Sequence, residues 1–154
     1  MSVSILVDLS SFYEHFDNKE LLARADRLGF PSQLTRLALR GYTAPRFIAQ
    51  QGRLTKPLRA KRGVVAGCGL ATTWVKIYCI EAFDKFEARY KGRVRLDAYI
   101  DDLTISATAD TEDELEILLV EAALELARLI EEDLLCKVAT EKTMVISSTN
   151  HLKG

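Results

Sequence analysis

The stretch RVRLDAYIDDLTISAT, residues 93–108, decides how the rest of the chain is interpreted. Its apolar and polar residues alternate up to Ile100, and the alternation resumes after Asp102 with its phase shifted by one residue. Because side chains alternate along a strand with a period of two, this phase shift marks a turn between two strands. The stretch therefore predicts a β-hairpin whose tip carries Asp101 and Asp102.

The two neighbouring carboxylates at this predicted tip repel each other unless positive charge lies close to them. Water can solvate them at an exposed tip, and a divalent cation bound through their oxygens offsets the repulsion more strongly. Asp is also a common turn residue, so an ordinary polar turn remains the alternative. The hairpin alone does not decide between a polar turn and a cation site.

The length and composition predict one globular domain, residues 1–148, with a frayed tail at 149–154. Nearly half of the 154 residues are apolar, which is enough to build a core. The sequence shows neither a membrane-spanning run nor a secretory leader. Three cysteines without CxxC spacing and two distant histidines argue against a disulfide framework and a zinc site. We therefore expect no membrane partner and an intracellular, reducing compartment, with nucleus or cytoplasm left open.

The net charge of −1 conceals a strongly basic block. No acidic residue occurs from Arg27 to Ile80, whereas that interval holds ten Lys and Arg residues. Such a block favours a polyanionic partner, most often a nucleic acid, and a solvated basic face is the alternative. The residues expected to contact nucleic acid are Arg46, Arg53, Lys56, Arg59, Lys61 and Arg62.

Apolar spacing and turn residues predict the other elements of the chain. They are a buried strand at Val3–Asp8, helices at Asn18–Leu28 and Pro31–Arg40, a basic hairpin formed by Arg46–Ala49 and Arg53–Leu58, a glycine-rich loop at Ala60–Leu70, a long helix at Ala71–Tyr90, a second long helix at Glu112–Glu132 and two C-terminal strands at Leu135–Ala139 and Thr143–Ser147.

With the basic hairpin set aside, the predicted order is β-α-β-β-α-β, an α+β arrangement of the ferredoxin-like type. In that topology the first strand lies beside the central hairpin, so Asp8 would approach Asp101 and Asp102. Three carboxylates at one end of a sheet suit one or two Mg²⁺ ions. Asp8 could instead cap the following turn through Ser10 and Ser11.

Four motifs, in chain order, resemble the palm domain of a reverse transcriptase of the non-LTR retroelement or group II intron type. DLSSFY at residues 8–13 looks like the family's first catalytic motif, an Asp followed five residues later by an aromatic residue. GVVAGCGL at residues 63–70 is similar to its glycine-rich template and nucleotide loop, and YIDD at 99–102 to its Tyr-x-Asp-Asp hairpin. The segment 134–146, with Lys142 followed by Thr143, resembles its fourth palm motif.

The resemblance implies an enzyme, an RNA-directed DNA polymerase, that transfers nucleotides with two divalent metal ions, Mg²⁺ or Mn²⁺. By this resemblance Asp8 and Asp101 hold both ions and Asp102 supports the site. The carbonyl group of Leu9 assists as a ligand, and Lys142 lies near the triphosphate as a proton donor to pyrophosphate. An ordinary surface lysine is the alternative for Lys142.

The same resemblance assigns nucleotide binding to residues outside the carboxylate set. Tyr13 would lie beneath the sugar and exclude a 2′-hydroxyl group by steric clash, which selects deoxynucleotides. Gly67 and Cys68 would let the backbone approach the nascent base pair. Ala66 stands where the family usually has Gln, and Gly69 where it usually has Pro, so both departures loosen this loop.

The implied partners are an RNA template, a DNA primer and deoxynucleoside triphosphates. A palm normally follows fingers and precedes a thumb, so we expect a partial domain of a longer retroelement protein. The rival interpretation is a catalytically inactive palm remnant that binds nucleic acid. A palm-like nucleotide cyclase fits less well, because the chain lacks that family's Gly-Gly-Asp/Glu-Glu-Phe hairpin.

Overall fold

The computed structural model describes residues 2–147. It divides into two compact units, one formed by Met1–Phe12 with Cys79–Gly154 and the other by Tyr13–Tyr78. We describe each unit by itself. The tail expected at 149–154 lies outside the described residues.

Twelve helices and strands, labelled here in chain order, make up the described part of the chain. They are β1 (Ser2–Ser10), α1 (Phe12–His15), α2 (Asn18–Arg27), α3 (Ser32–Tyr42), β2 (Ala49–Gln50), β3 (Arg53–Leu54), α4 (Ala71–Tyr90), β4 (Val94–Tyr99), β5 (Asp102–Thr108), α5 (Glu112–Arg128), β6 (Lys137–Val138) and β7 (Met144–Ser147). A π-helical turn at Leu129–Asp133 continues α5, and a 3₁₀ turn at Thr140–Lys142 precedes β7.

An antiparallel sheet is the centre of the first unit. Its strand order is β4-β5-β1-β6, and β7 pairs with β1 as well. The first strand therefore lies beside the central hairpin, which confirms that expectation, and the mixture of helices with an antiparallel sheet confirms the α+β class. Both C-terminal strands are shorter than predicted, and each pairs with β1.

One face of this sheet is apolar and packs under α5. The odd-numbered residues of β1 from Val3 to Leu9 are buried, as the period of a half-buried strand requires. The predicted apolar stripe of α5 is confirmed, since Leu115, Leu118, Ala122, Leu126 and Leu129 are all buried. The even-numbered residues of β1, including Asp8, therefore lie on the other face of the sheet.

Helix boundaries follow local capping, and the end of α3 differs from the sequence prediction. The N–H group of Glu114 donates to the Thr111 side chain at 3.3 Å, so the predicted cap of α5 is present. Helix α3, predicted to end at Arg40, runs on through Gly41 to Tyr42.

None of the helices between residues 2 and 147 combines the length and apolar character that a membrane span needs.

The central hairpin turns through two residues, Ile100 and Asp101, because Tyr99 pairs directly with Asp102. Asp102 is thus the first residue of β5, and its placement at the tip was wrong. Ile100 has φ +60°, a conformation that a β-branched side chain rarely adopts and that costs roughly 1–2 kcal/mol. Glycine is the usual residue where the first turn position has positive φ. Because isoleucine stands there instead, the backbone is strained at the residue that precedes the acid pair.

In the second unit, the ring of Tyr78 is the centre of the packing. Phe16 stacks on this ring with centroids 4.3 Å apart, and the Arg24 guanidinium lies 4.7 Å from the ring centroid. Arg24 is buried, donates to the carbonyl of Tyr78 and pairs with Glu20 at 2.7 Å. This hydrogen bond from Arg24 lowers the pKa of Glu20. The buried guanidinium therefore has both an aromatic and an ionic partner, as a buried charge requires.

The glycine loop of the second unit is anchored to the backbone of residues 13–16. Gly63 has φ +91°, and a Cβ atom placed there would lie 3.0 Å from Glu14 Cα and from the Tyr13 carbonyl oxygen. The Gly63 N–H group donates to the Phe16 carbonyl at 2.7 Å, and the Val64 N–H group to the Tyr13 carbonyl at 2.9 Å. Glycine is thus required by both the conformation and the close approach.

We expect Gly63→Ala to lower the free energy of unfolding by about 2 kcal/mol, because the new methyl group meets backbone atoms and positive φ is unfavourable for Ala. Urea unfolding followed by circular dichroism measures this difference. Gly67→Ala is the matched control, since nothing lies within 4 Å of a Cβ at that position. Equal losses in the two variants would contradict the assigned packing.

Candidate functional site

Backbone pairing in the first unit brings two of the predicted carboxylates face to face. Asp8 of β1 lies directly opposite Asp102 of β5 in the antiparallel register. Directly opposed residues point to the same face of a sheet with Cβ atoms about 4.5–5.5 Å apart, and like charges placed in this way are destabilising. The sheet therefore concentrates negative charge at this end and needs a positive charge to offset it.

Lys142 supplies positive charge at this position. Its Nζ atom lies 2.8 Å from Asp8 Oδ2, while its side chain remains largely exposed to solvent. Apart from the Lys142 ammonium, no donor within residues 2–147 reaches this buried Oδ2 atom. The Asp8 carboxylate raises the pKa of Lys142, with smaller contributions from Glu141 and Asp101.

The backbone fixes where Lys142 lies. The Ala139 N–H group donates to the carbonyl of Asp8 at 2.9 Å, and the Lys142 N–H group donates to the Ala139 carbonyl at 3.0 Å. Lys142 therefore stands at the end of a 3₁₀ turn that is tied to the same strand position as Asp8. The sequence did not predict that Lys142 pairs with Asp8, because the 133 residues between them carry no local signal for this contact.

Asp101 lies in the turn beside this pair and is half-buried, whereas Asp102 is exposed. Within residues 2–147, no three His, Cys, Asp or Glu side chains lie close enough together to hold a metal ion. The structure thus brings Asp8 together with Asp102 and Lys142, and it does not assemble all three carboxylates into one ligand cluster. A metal site formed by Asp8, Asp101 and Asp102 remains a prediction.

The donor atoms present nevertheless suit a hard divalent cation. Carboxylate oxygens are the ligands that Mg²⁺ prefers, and Asp8 Oδ2 is a buried oxygen whose one partner among the described residues is the mobile ammonium of Lys142. Leu9, whose carbonyl was the further predicted ligand, has a buried side chain and pairs with Val138. Its role as a ligand remains a prediction.

Of the residues predicted to bind the nucleotide, Tyr13, Gly67 and Cys68 belong to the second unit, whereas Leu9 lies in the first. Tyr13 lies in α1, is half-buried, and has its ring centroid 6.4 Å from that of Phe16. Its carbonyl receives the Val64 N–H group, so Tyr13 and the start of the glycine loop are parts of one hydrogen-bonded segment. Gly67 is exposed and Cys68 half-buried within that loop.

A buried aromatic pair that the sequence interpretation missed holds Cys68. The Trp74 Nε1–H group donates to the Tyr42 hydroxyl at 3.0 Å, and the Leu70 N–H group donates to Cys68 Sγ at 3.5 Å. The Tyr42 hydroxyl lowers the pKa of the Cys68 thiol, assisted by the Leu70 N–H group, while burial raises the pKa of Tyr42 to about 12. The chain's single Trp is the one signal in the sequence that could have directed attention here.

The predicted nucleic-acid contacts lie on an exposed basic hairpin and on the residues that directly follow it. Gln51 and Gly52 have φ of +49° and +74°, the positive values that a two-residue type I′ turn needs, and Arg46 bridges to Leu58. Every residue from 45 to 62 is exposed. Among the described residues no carboxylate forms an ion pair with the six predicted contacts, which are Arg46, Arg53, Lys56, Arg59, Lys61 and Arg62.

The fold of this chain is similar to that of solved nucleic-acid polymerases. It matches apo telomerase from Candida tropicalis truncated from the C-terminal domain, with TM-score 0.68, 16% identity, and 97% of this chain and 32% of that chain covered. It also matches telomerase from Candida tropicalis in complex with the TWJ fragment of telomeric RNA, with TM-score 0.72, 12% identity, and coverage of 97% and 26%. The chain thus spans a third or less of these proteins.

A viral polymerase has a similar fold, with a lower TM-score. The RNA-dependent RNA polymerase from bacteriophage phi12 matches with TM-score 0.55 and 15% identity, covering 89% of this chain and 25% of that chain. A search of curated proteins finds no match. The family model described as reverse transcriptase (RNA-dependent DNA polymerase) matches residues 2–153. Because this match covers nearly the whole sequence, the chain belongs to the reverse transcriptase family.

Proposed function

We propose that this chain performs template-directed nucleotidyl transfer as an RNA-directed DNA polymerase, through a palm of ferredoxin-like topology. The observation that carries the proposal is the juxtaposition of Asp8 with Asp102 and Lys142 in a member of the reverse transcriptase family. Asp8 and Asp101 would hold Mg²⁺ or Mn²⁺, and Asp102 and the Leu9 carbonyl would support the site. When bound, these ions would acidify the primer 3′-hydroxyl group and stabilise charge on the leaving pyrophosphate.

The chain's own residues would serve the reaction in two further ways. Lysine is protonated at neutral pH, and the Asp8 carboxylate raises the pKa of Lys142 further, so Nζ holds a proton that a leaving pyrophosphate could accept once the ammonium is no longer at Asp8. Tyr13, Gly67 and Cys68 would bind the nucleotide, since the glycine loop is anchored on the Tyr13 backbone and its cysteine on the Tyr42 hydroxyl. Tyr13 would select deoxynucleotides by steric exclusion.

We further propose an RNA template and a DNA primer as partners, with the basic hairpin contributing phosphate contacts. Six exposed cations without ion-pair partners in the described chain support this, as does the likeness to a telomerase solved with telomeric RNA. Fingers and thumb segments would come from a longer protein of non-LTR or group II type. Three cysteines without CxxC spacing fit a reducing compartment.

A second candidate is a palm remnant that binds nucleic acid without turnover. The absence of a three-carboxylate ligand cluster within residues 2–147 favours it, as do Ala66 and Gly69 in the nucleotide loop. The two candidates share the basic hairpin and differ in whether the carboxylates support chemistry. Metal binding and turnover must therefore be measured separately.

We expect Mg²⁺ or Mn²⁺ to raise the melting temperature of the chain by a few degrees, and Asp101→Asn to abolish most of that shift because it removes a charged ligand. Differential scanning fluorimetry across a metal titration measures the effect. Asp110→Asn, an exposed carboxylate just beyond the opposite end of β5, is the matched control. An unchanged shift in Asp101→Asn means that the ligand assignment is wrong.

We expect Mn²⁺-dependent incorporation of deoxynucleotides on an RNA template primed with DNA, lost by about a thousandfold in Asp8→Asn, because metal coordination supplies several kcal/mol to such reactions. Single-nucleotide extension, resolved on a gel, measures this. The assay is run with and without supplied fingers and thumb segments. Strand binding without incorporation in either format selects the inactive remnant.

We expect nucleic-acid affinity to fall steeply with salt, and the double variant Arg53→Gln, Lys56→Gln to reduce the slope of log K against log salt concentration by about 1.5. Fluorescence anisotropy with single-stranded RNA across a salt series gives this slope. The control is Lys19→Gln with Lys91→Gln, which removes the same charge outside the basic hairpin. If both double variants change the slope equally, the hairpin is not the binding surface.

A further inference from the structure

The Lys142 ammonium lies against Asp8, the carboxylate at which a divalent cation is proposed to bind. This inference rests on the proposed function, since it concerns a cation at Asp8. Strands β6 and β7 both pair with β1, the strand that carries Asp8, and the 3₁₀ turn with Lys142 lies between them in sequence. The backbone of that turn is bonded to the carbonyl of Asp8 itself. The fold therefore fixes the backbone of Lys142 within reach of Asp8, and its ammonium lies against that carboxylate.

The charges around Lys142 make it the counter-ion of this end of the sheet. Asp8, Asp101 and Glu141 all contribute negative charge at its ammonium, and Asp102 lies opposite Asp8 in the register. A second lysine of this region, Lys137 of β6, lies opposite Ser10 of β1 and forms no ion pair with Asp8. Removing Lys142 would thus leave opposed carboxylates without the cation that lies against Asp8.

We propose that Lys142 is a built-in counter-ion that competes with divalent metal for Asp8, so that metal binds only when Lys142 leaves Oδ2. A divalent ion lies about 2.0–2.1 Å from its carboxylate oxygen, and an ammonium 2.8 Å from the same atom would repel it strongly. The two cations therefore exclude each other at this oxygen.

The geometry of Lys142 allows the exchange. Its side chain is 66% exposed and ends a flexible four-carbon stem, so the ammonium can move into solvent while the turn stays in place. Once displaced, the ammonium is no longer held at Asp8 and becomes available to an incoming phosphate group. Metal binding at the carboxylates thereby releases the Lys142 ammonium from Asp8. A surface lysine without this contact would not couple the two events.

Titration calorimetry with Mn²⁺ on the full chain tests this competition. We expect Lys142→Met to bind Mn²⁺ about three- to tenfold more tightly than wild type, the range expected for removing one partly screened positive charge. Lys142→Arg keeps the charge and should bind as wild type within twofold. Lys137→Met removes the same charge at a position that does not contact Asp8, and it should change affinity by less than twofold. Unchanged or weaker binding in Lys142→Met overturns the inference.

A second measurement uses the wild-type chain alone. Acylation of lysines by an N-hydroxysuccinimide ester, read by peptide mass spectrometry, should label Lys142 faster when Mg²⁺ is added, because the ammonium has left its ion pair. Labelling of Lys137 should not change. Equal labelling of Lys142 with and without Mg²⁺ also overturns the inference.

The variant Asp8→Asn separates this inference from the proposed function. If wild type binds no Mn²⁺, or Asp8→Asn binds it as well as wild type, the proposed metal site fails and the inference fails with it. If Asp8→Asn abolishes binding while Lys142→Met leaves it unchanged, the metal site stands and only the counter-ion role is wrong. Circular dichroism confirms that each variant is folded.

Discussion

The antiparallel register between β1 and β5 is the constraint on which the candidate site depends. It places Asp8 directly opposite Asp102, and the two-residue turn before Asp102 leaves Asp101 beside them. A shift of one residue in this register would turn the side chains of β1 to the opposite face and bury Asp8 in the core. The apolar residues of β1 and the stripe of α5 exclude that shift, so packing on one face of the sheet fixes the chemistry on the other.

Juxtaposed carboxylates are costly in a folded protein, and this structure retains them with one compensation and one further cost. Lys142 supplies positive charge at Asp8, held there by backbone hydrogen bonds from the turn that carries it. Ile100 accepts a strained backbone conformation so that the hairpin can turn in two residues. Functional sites tend to preserve backbone strain and opposed like charges at one position, whereas packing alone would favour residues that remove both.

The second unit shows how a loop with several glycines can still be ordered. Gly63 is locked against the backbone of Tyr13 and Glu14, and Cys68 is held by the Tyr42 hydroxyl and the Leu70 N–H group. Flexibility at Gly67 is therefore confined between two fixed points. Ala66, which departs from the family pattern, lies within that interval, and Gly69, the other departure, directly follows Cys68, so the loop's anchors compensate for part of the freedom that these residues introduce.

The sequence by itself determined the α+β class, the central hairpin, the apolar faces and the motifs that identify the family, because periodicity, capping and turn chemistry are local. It did not determine that Asp102 begins a strand, that α3 passes Gly41, or that β6 and β7 each pair with β1. Only the tertiary structure decided that Lys142 lies against Asp8 and that Tyr42 and Trp74 hold the loop of Cys68. These contacts join residues far apart in sequence, and their partners are selected by strand register and burial, which no local pattern encodes.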